Sequence, residues 1–144
     1  MTELVLPQHA NALGSAFGGT VMGWIDICAA ITAQRHAGRV AVTASVDELA
    51  FLSPIRVGDV VCLRAHMNAA FRTSMEVEVR VDREDRQSRE RTLCVDAKLT
   101  FVNLDEAGRP LAVPPLALET EAERDASAQA QLRREERLAR RRVR

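Results

Sequence analysis

Asp26 is the one formally charged side chain in the 31 residues that separate Glu3 from Arg35. A carboxylate among apolar neighbours is costly unless it is paired, solvated or protonated. A carboxylate in such surroundings suits a general base or a nucleophile, and such groups gather at functional sites. The competing reading is structural, an ion pair with an arginine or a bond to nearby backbone; the functional one is preferred. Upstream, Gly18-Gly19 opens the same segment. Free N–H groups at a helix start, with the helix dipole behind them, favour a negative oxygen. In acyl transfer they form an oxyanion hole. Gly14 and Gly18, and Gly19 and Gly23, are also spaced as plain contact glycines, and the residues alone do not choose. Arg72-Thr73-Ser74 sets a guanidinium beside two hydroxyls and turn N–H groups, which can hold a phosphate. Taken alone, it is an ordinary hairpin turn.

Other chemistry lacks its motifs. The chain has no GxGxxG or P-loop spacing and no GxSxG elbow. Cys28, Cys62 and Cys94 lie in apolar runs without paired spacing, which reads as buried free thiols in a reducing compartment. Cys28 falls on the far side of its helix from Asp26 and reads as core rather than nucleophile. His9, His36 and His66 are scattered, so no metal site is expected.

The elements that position these groups follow from period and punctuation. Thr2–Pro7 is a short strand, and residues 9–17 form a loop of small residues. A helix runs from Gly18-Gly19-Thr20 to about His36 and stops at Gly38. Its wheel is apolar on both sides, with Val21, Trp24, Ile25, Ile27, Cys28 and Ile31 opposite Met22, Ala29, Ala30 and Ala33. Such a helix should be nearly surrounded. After Gly38 the period becomes two: Val40, Val42, Ala44 and Val46 alternate with Ala41, Thr43, Ser45 and Asp47. A turn at Pro54 and Gly58-Asp59 leads to a strand over 60–70. The strand over 75–82 places Glu76, Glu78, Arg80 and Asp82 on a solvated face. Residues 82–91 connect it to a last strand whose apolar face is Leu93, Val95, Ala97, Leu99 and Phe101. The reading is α+β, an antiparallel sheet of strands in hairpin succession with one helix on its face. Exposed edges would be relieved by pairing into a dimer.

The chain has 144 residues and zero formal net charge, which argues against an electrostatic nucleic-acid binder. The zero is a sum: residues 131–144 carry seven arginines and two glutamates, a net of +5, against −5 elsewhere. With no tyrosine and every aromatic within the first 101 residues, the arginines have no stacking platform. The division expected is a domain over 1–116, ending in a proline-rich linker, and a charged, Arg-rich, solvated helical tail over 117–144. No signal peptide or membrane span is expected, so the location expected is cytoplasmic.

A set of motifs resembles one family. Pro7-Gln8-His9-Ala10-Asn11-Ala12-Leu13-Gly14 and Phe17-Gly18-Gly19-Thr20-Val21-Met22-Gly23-Trp24-Ile25-Asp26 are similar to the hot-dog-fold acyl-CoA thioesterases. The branch is that of the cytosolic acyl-CoA hydrolases and bacterial YciA-like enzymes. Val42-Thr43 with Asp47, Phe51-Leu52-Ser53-Pro54-Ile55, Val57-Gly58-Asp59-Val60-Val61 and Arg72-Thr73-Ser74-Met75 extend the match over roughly residues 5–104. The resemblance implies a long helix wrapped by a five-stranded antiparallel sheet, paired as a homodimer and in some members as a trimer of dimers. It implies a site at the dimer interface, with Asn11 from one subunit and Asp26 from the other, and CoA at Arg72, Thr73 and Ser74. Phe17 stands where members often have a histidine.

The expected reaction is hydrolysis of an acyl-CoA thioester. Gly19 would polarise the carbonyl, Asp26 would act as base or nucleophile, and Asn11 would orient water or the carbonyl. Gly18, Phe51, Leu52 and Pro54 would contact substrate. No cofactor is expected, since CoA is part of the substrate, and neither nucleic acid nor membrane is an expected partner. The alternatives are a non-catalytic acyl-CoA-binding regulator or a hot-dog hydratase, for which His9 is the one nearby histidine.

Overall fold

The structure, a computed structural model, describes residues 1–143. Strand β1 (Thr2–Leu4) precedes the 20-residue helix α1 (Gly18–Ala37). The helix ends where predicted: Gly38 takes φ +68 and its N–H donates to the Gln34 carbonyl at 2.8 Å. A left-handed residue there favours glycine. Four strands follow, β2 (Ala41–Phe51), β3 (Val60–Ala70), β4 (Ser74–Glu84) and β5 (Arg91–Asn103), and then a second helix, α2 (Glu121–Val143). All pairings are antiparallel, in the order β1-β3-β4-β5-β2.

One face of the sheet carries Met75, Val77, Val79, Val81, Leu99 and Phe101, all essentially solvent-free, against Val21, Ile25, Cys28, Ala29 and Ala33 of α1. Each large side chain so buried contributes about 1.5–3 kcal/mol. Both cysteines placed in this core, Cys28 and Cys94, have thiol pKa values pushed up by burial.

The structure departs from the sequence reading at five points. Only β3, β4 and β5 follow in hairpin succession. β2 pairs with β5, so residues 52–59 carry the chain from one edge of the sheet to the other side. α1 is covered along one side only. Met22, Ile27 and Ile31 stay exposed, and the division between faces runs between them and Val21, Ile25 and Cys28.

Strand β2 does not alternate simply, because its register slips between Thr43 and Ser45 and again between Val46 and Glu48. Each slip is a bulge that places one extra residue on β2. Thr43 pairs with Phe101, Val46 with Leu99 and Leu49 with Ala97, so these three face α1. Without the first bulge, and with Val46 kept opposite Leu99, Ala44 would face α1 and Thr43 would turn away.

On the charged face of β4 only Arg80 is exposed, and the tail helix is solvated along one side only. Glu76, Glu78 and Asp82 are buried. Helix α2 lies over Glu76: the Arg133 guanidinium binds its carboxylate with both arms, at 2.7 and 2.8 Å. The bond to Glu76 holds the Arg133 pKa above its usual value. Arg137 reaches Asp47 at 3.0 Å, and Ala130 is sealed against the sheet. Beside this patch, Glu48, Lys98, Glu78 and His66 form a cross-strand row of alternating charge.

Candidate active site

Asp26 projects from α1 toward β2, where the Thr43 hydroxyl donates to its Oδ1 at 2.5 Å. The two residues line a cavity of about 310 Å³ with Met22, Gly23, Ile25, Val46, Leu49 and Leu99. A carboxylate is thus set in an apolar cleft with one oxygen tethered and one unspent. The cavity opens outward, and Asp26 is exposed rather than buried in the single chain. Sequence alternation only sets Thr43 opposite the valines, which does not mark it as a site residue. Its signal is indirect, a threonine next to the first bulge.

Asn11 stands in a loop built by its own side chain. Its Oδ1 accepts the N–H groups of Leu13 at 2.9 Å and Ser15 at 3.2 Å, and its carbonyl accepts the Gly14 N–H at 3.0 Å. Gly14 has φ +76, which explains the glycine three residues after the asparagine. The loop is pinned to the 52–59 crossing by Ala16 N–H to the Ile55 carbonyl at 2.7 Å and Val57 N–H to the Gly14 carbonyl at 3.0 Å. With its oxygen spent, Asn11 has the Nδ2 donor to offer a ligand.

The helix start is open. No side chain caps it, and a Cβ placed on Gly19 would meet nothing within 4 Å. At Gly18 the nearest atom to such a Cβ is Phe51 Cζ, at 3.6 Å. Phe51, Leu52 and Pro54 gather with Ser15, Ala16 and Val21 around a second groove of about 240 Å³. The expected acyl-lining residues therefore lie together beside the glycines.

Arg72, Thr73 and Ser74 make the β3–β4 turn, closed by Phe71 N–H to the Ser74 carbonyl at 2.8 Å. The Thr73 carbonyl accepts from Asn103 at 3.0 Å and the Arg72 carbonyl from Val113 at 2.9 Å. The turn is thus clamped by the last residue of β5 and by the segment after it, with Arg72 exposed.

Asn11 and Asp26 do not meet within the chain. His9, two residues before Asn11, packs edge-on against Trp24 at 5.1 Å. Trp24 and Asp26 point about 200° apart around α1. His9 Nδ1 already accepts the Leu6 N–H at 3.0 Å, which gives this histidine a structural task and weakens the hydratase alternative. Gly19 precedes Asp26 by seven residues, about 10 Å along the axis. That is too far for both to touch one carbonyl group. The described residues hold no cluster of three metal-binding side chains, and no helix is long and apolar enough to cross a membrane.

Known proteins share this architecture. The profile described as the Thioesterase superfamily matches residues 13–90. An uncharacterized acyl-CoA thioester hydrolase of Bacillus subtilis, YkhA, is 43% identical over 122 residues, 85% of this chain and 71% of the relative. The acyl-CoA hydrolase of Staphylococcus aureus, solved with butyryl coenzyme A, coenzyme A and coenzyme A disulfide, superposes with a TM-score of 0.91. It is 41% identical, over 98% of this chain and 86% of that one. The same hydrolase has been solved with an asparagine, an aspartate and a threonine each changed to alanine. Those three are spaced by fifteen and then seventeen residues, as are Asn11, Asp26 and Thr43. A hexameric acyl-CoA thioesterase reaches a TM-score of 0.93 at 43% identity, over all of this chain and 92% of that one. With its long helix packed on a five-stranded antiparallel sheet, this chain has the hot-dog fold and belongs to the thioesterase superfamily.

Proposed function

We propose that this protein hydrolyses acyl-CoA thioesters at a site shared between two copies of the chain. The observation that carries the reading is the Asp26–Thr43 pair in its apolar cleft, open on the side where Asn11 is absent. One copy supplies Asp26 and Thr43; the other supplies Asn11 and the Gly19 N–H. The spacing of the three residues replaced in the Staphylococcus aureus hydrolase supports the choice of Asn11, Asp26 and Thr43.

The chemistry follows from what each group can give. The Gly19 N–H, with the helix dipole behind it, polarises the thioester carbonyl and stabilises the oxyanion as attack proceeds. The Nδ2 of Asn11 adds a second donor. Thr43 fixes one oxygen of Asp26, leaving the other for the reacting partner. As base, Asp26 takes a proton from water while the hydroxide adds to the carbonyl carbon. As nucleophile, it adds directly and water then opens the anhydride. Either way the carbon–sulfur bond breaks, the thiolate of CoA leaves and is protonated, and water is the only other reactant. The acyl chain lies along Phe51, Leu52 and Pro54 beside Gly18, and CoA extends toward Arg72, Thr73 and Ser74.

Pairing is supported by what the single chain leaves open. β2 is a sheet edge of 11 residues, with Val42 and Val46 exposed, and α1 shows Met22, Ile27 and Ile31 to the outside. An unpaired edge flanked by apolar side chains is a surface for a second copy. Three buried free cysteines fit a reducing compartment, and we place the protein in the cytoplasm. The test is thiol release from acyl-CoAs of graded chain length, with Asp26→Asn as control. Turnover that survives this substitution, or no release from any chain length, overturns the reading.

A further inference from the structure

The sheet-facing stripe of α2 is Ala126, Ser127, Ala130, Arg133, Arg134, Arg137 and Leu138, which recurs at helical period. Two of its arginines are spent: Arg133 on Glu76 and Arg137 on Asp47. Arg134, between them, is not. Its guanidinium lies over the Phe71 ring, 5.3 Å from the centroid, and among the described residues no carboxylate comes within 4 Å of it. Stacking uses the face of a guanidinium and leaves its in-plane N–H groups unspent, in a fork that matches a phosphate. Phe71 is the residue before Arg72, so α2 presents a held cation to the turn where Arg72 is exposed and, among the described residues, also lacks a carboxylate partner.

The turn lies at the end of the sheet that also carries the Asp26–Thr43 contact. Ser74 pairs with Val102, and Val102 with Val42, the neighbour of Thr43. Two strand spacings amount to roughly 10 Å. A thioester at Asp26 can therefore extend its pantetheine arm to this turn.

We propose that α2 is part of the substrate site, and that Arg134, seated on Phe71, joins Arg72 in binding a phosphate of CoA. This rests on the reading that the substrate is an acyl-CoA. Arg133 and Arg137 anchor the helix; Arg134 is the arginine it delivers.

The experiment compares Arg134→Gln with wild type on an acyl-CoA, the matching acyl-dephospho-CoA and the matching acyl-pantetheine, which has no nucleotide. The expected result is a KM for acyl-CoA raised about tenfold, the scale of one charge-assisted hydrogen bond. kcat stays unchanged, and so does kcat/KM for acyl-pantetheine. Arg134→Lys, which keeps the charge without the fork, recovers part of the loss. Persistence of the effect with acyl-dephospho-CoA assigns Arg134 to the diphosphate, and its disappearance assigns it to the 3′-phosphate; both uphold the proposal. An unchanged KM, or an equal loss on acyl-pantetheine, overturns it. If wild type hydrolyses none of the three, the function reading fails by itself. Calorimetric titration of CoA into both proteins then decides Arg134, where tenfold weaker binding upholds the role and equal binding refutes it.

Discussion

A shared site can be tested by crossing two disabled chains. Asn11→Ala removes a donor to the carbonyl, a loss of about 10²–10³ in kcat by analogy with oxyanion-hole deletions. Asp26→Asn removes the base or nucleophile, a loss of about 10²–10⁴. Each variant alone is close to inactive. The His9–Trp24 contact sets the Asn11 loop on the side of α1 away from Asp26, so neither chain completes a site by itself. When the two are unfolded together in equal amounts and refolded, about half of the dimers are mixed, given random pairing of a twofold assembly. A mixed dimer has one site with both residues intact and one with neither. One site in four is therefore complete, and thiol release recovers to about a quarter of the wild-type rate. The assay follows the released CoA thiol with a chromogenic disulfide, before and after joint refolding, with each variant refolded alone as control. Activity that stays at the sum of the two parents would show that Asn11 and Asp26 work within one chain, and the geometry argued here would be wrong.

Thr43→Val, which keeps the shape but deletes the donor, should lower kcat about tenfold through a freed Asp26 carboxylate, the scale of one hydrogen bond. Thr43→Ser should restore most of it; equal rates for both variants would refute the tether. Arg133→Met leaves the Glu76 carboxylate buried and unpaired, so urea unfolding should show a loss of about 3–5 kcal/mol. Adding Glu76→Met should recover all but the cost of the orphaned Asn68 amide, about 1–3 kcal/mol. A double variant no better than the single would contradict the pairing. The Asp85 carboxyl is held below its usual pKa by the N–H groups of Ser88 and Gln87 and by the Ser88 hydroxyl. Its contribution to the 85–90 turn is present above the unfolded pKa and lost as pH falls through the lowered folded value. Proton NMR titration of the carboxyl should show this shift, and Ser88→Pro should remove most of it.

The parts of the fold written in local signals could be read directly. Gly38 stopped α1 where its φ requires, and the valines of β4 announced a core face. What failed was whatever depends on residues far apart. Bulges leave no mark in the alternation of β2, which groups Thr43 with Ser45 and Asp47, opposite the valines, and gives no sign that it faces α1. Glu76 and Glu78 were read as solvated because a charged side chain on a sheet usually is. Glu76 is covered by Arg133, 57 residues later, and Glu78 is met across the strands by Lys98 and His66. The arginine tail looked free for the same reason: pairing with a sheet carboxylate has no local signature. The site was half visible. Asp26 stood out as the exception in a charge-free stretch and Gly18-Gly19 as an open helix start, whereas Asn11 became a candidate through motif resemblance.

The two bulges of β2 also bear on which strands this protein can accept. A flat, regular edge offers its unpaired amides to any extended segment, and such edges seed aggregation. β2 breaks that offer twice within 11 residues, so a foreign strand of regular pleat loses its bonding partners at both interruptions. A second copy, turned end for end, carries the same two interruptions and can place them in compensating positions. The irregularity beside Thr43 would then also serve as a lock, in which the edge admits a copy of itself rotated about a twofold axis and turns away the rest.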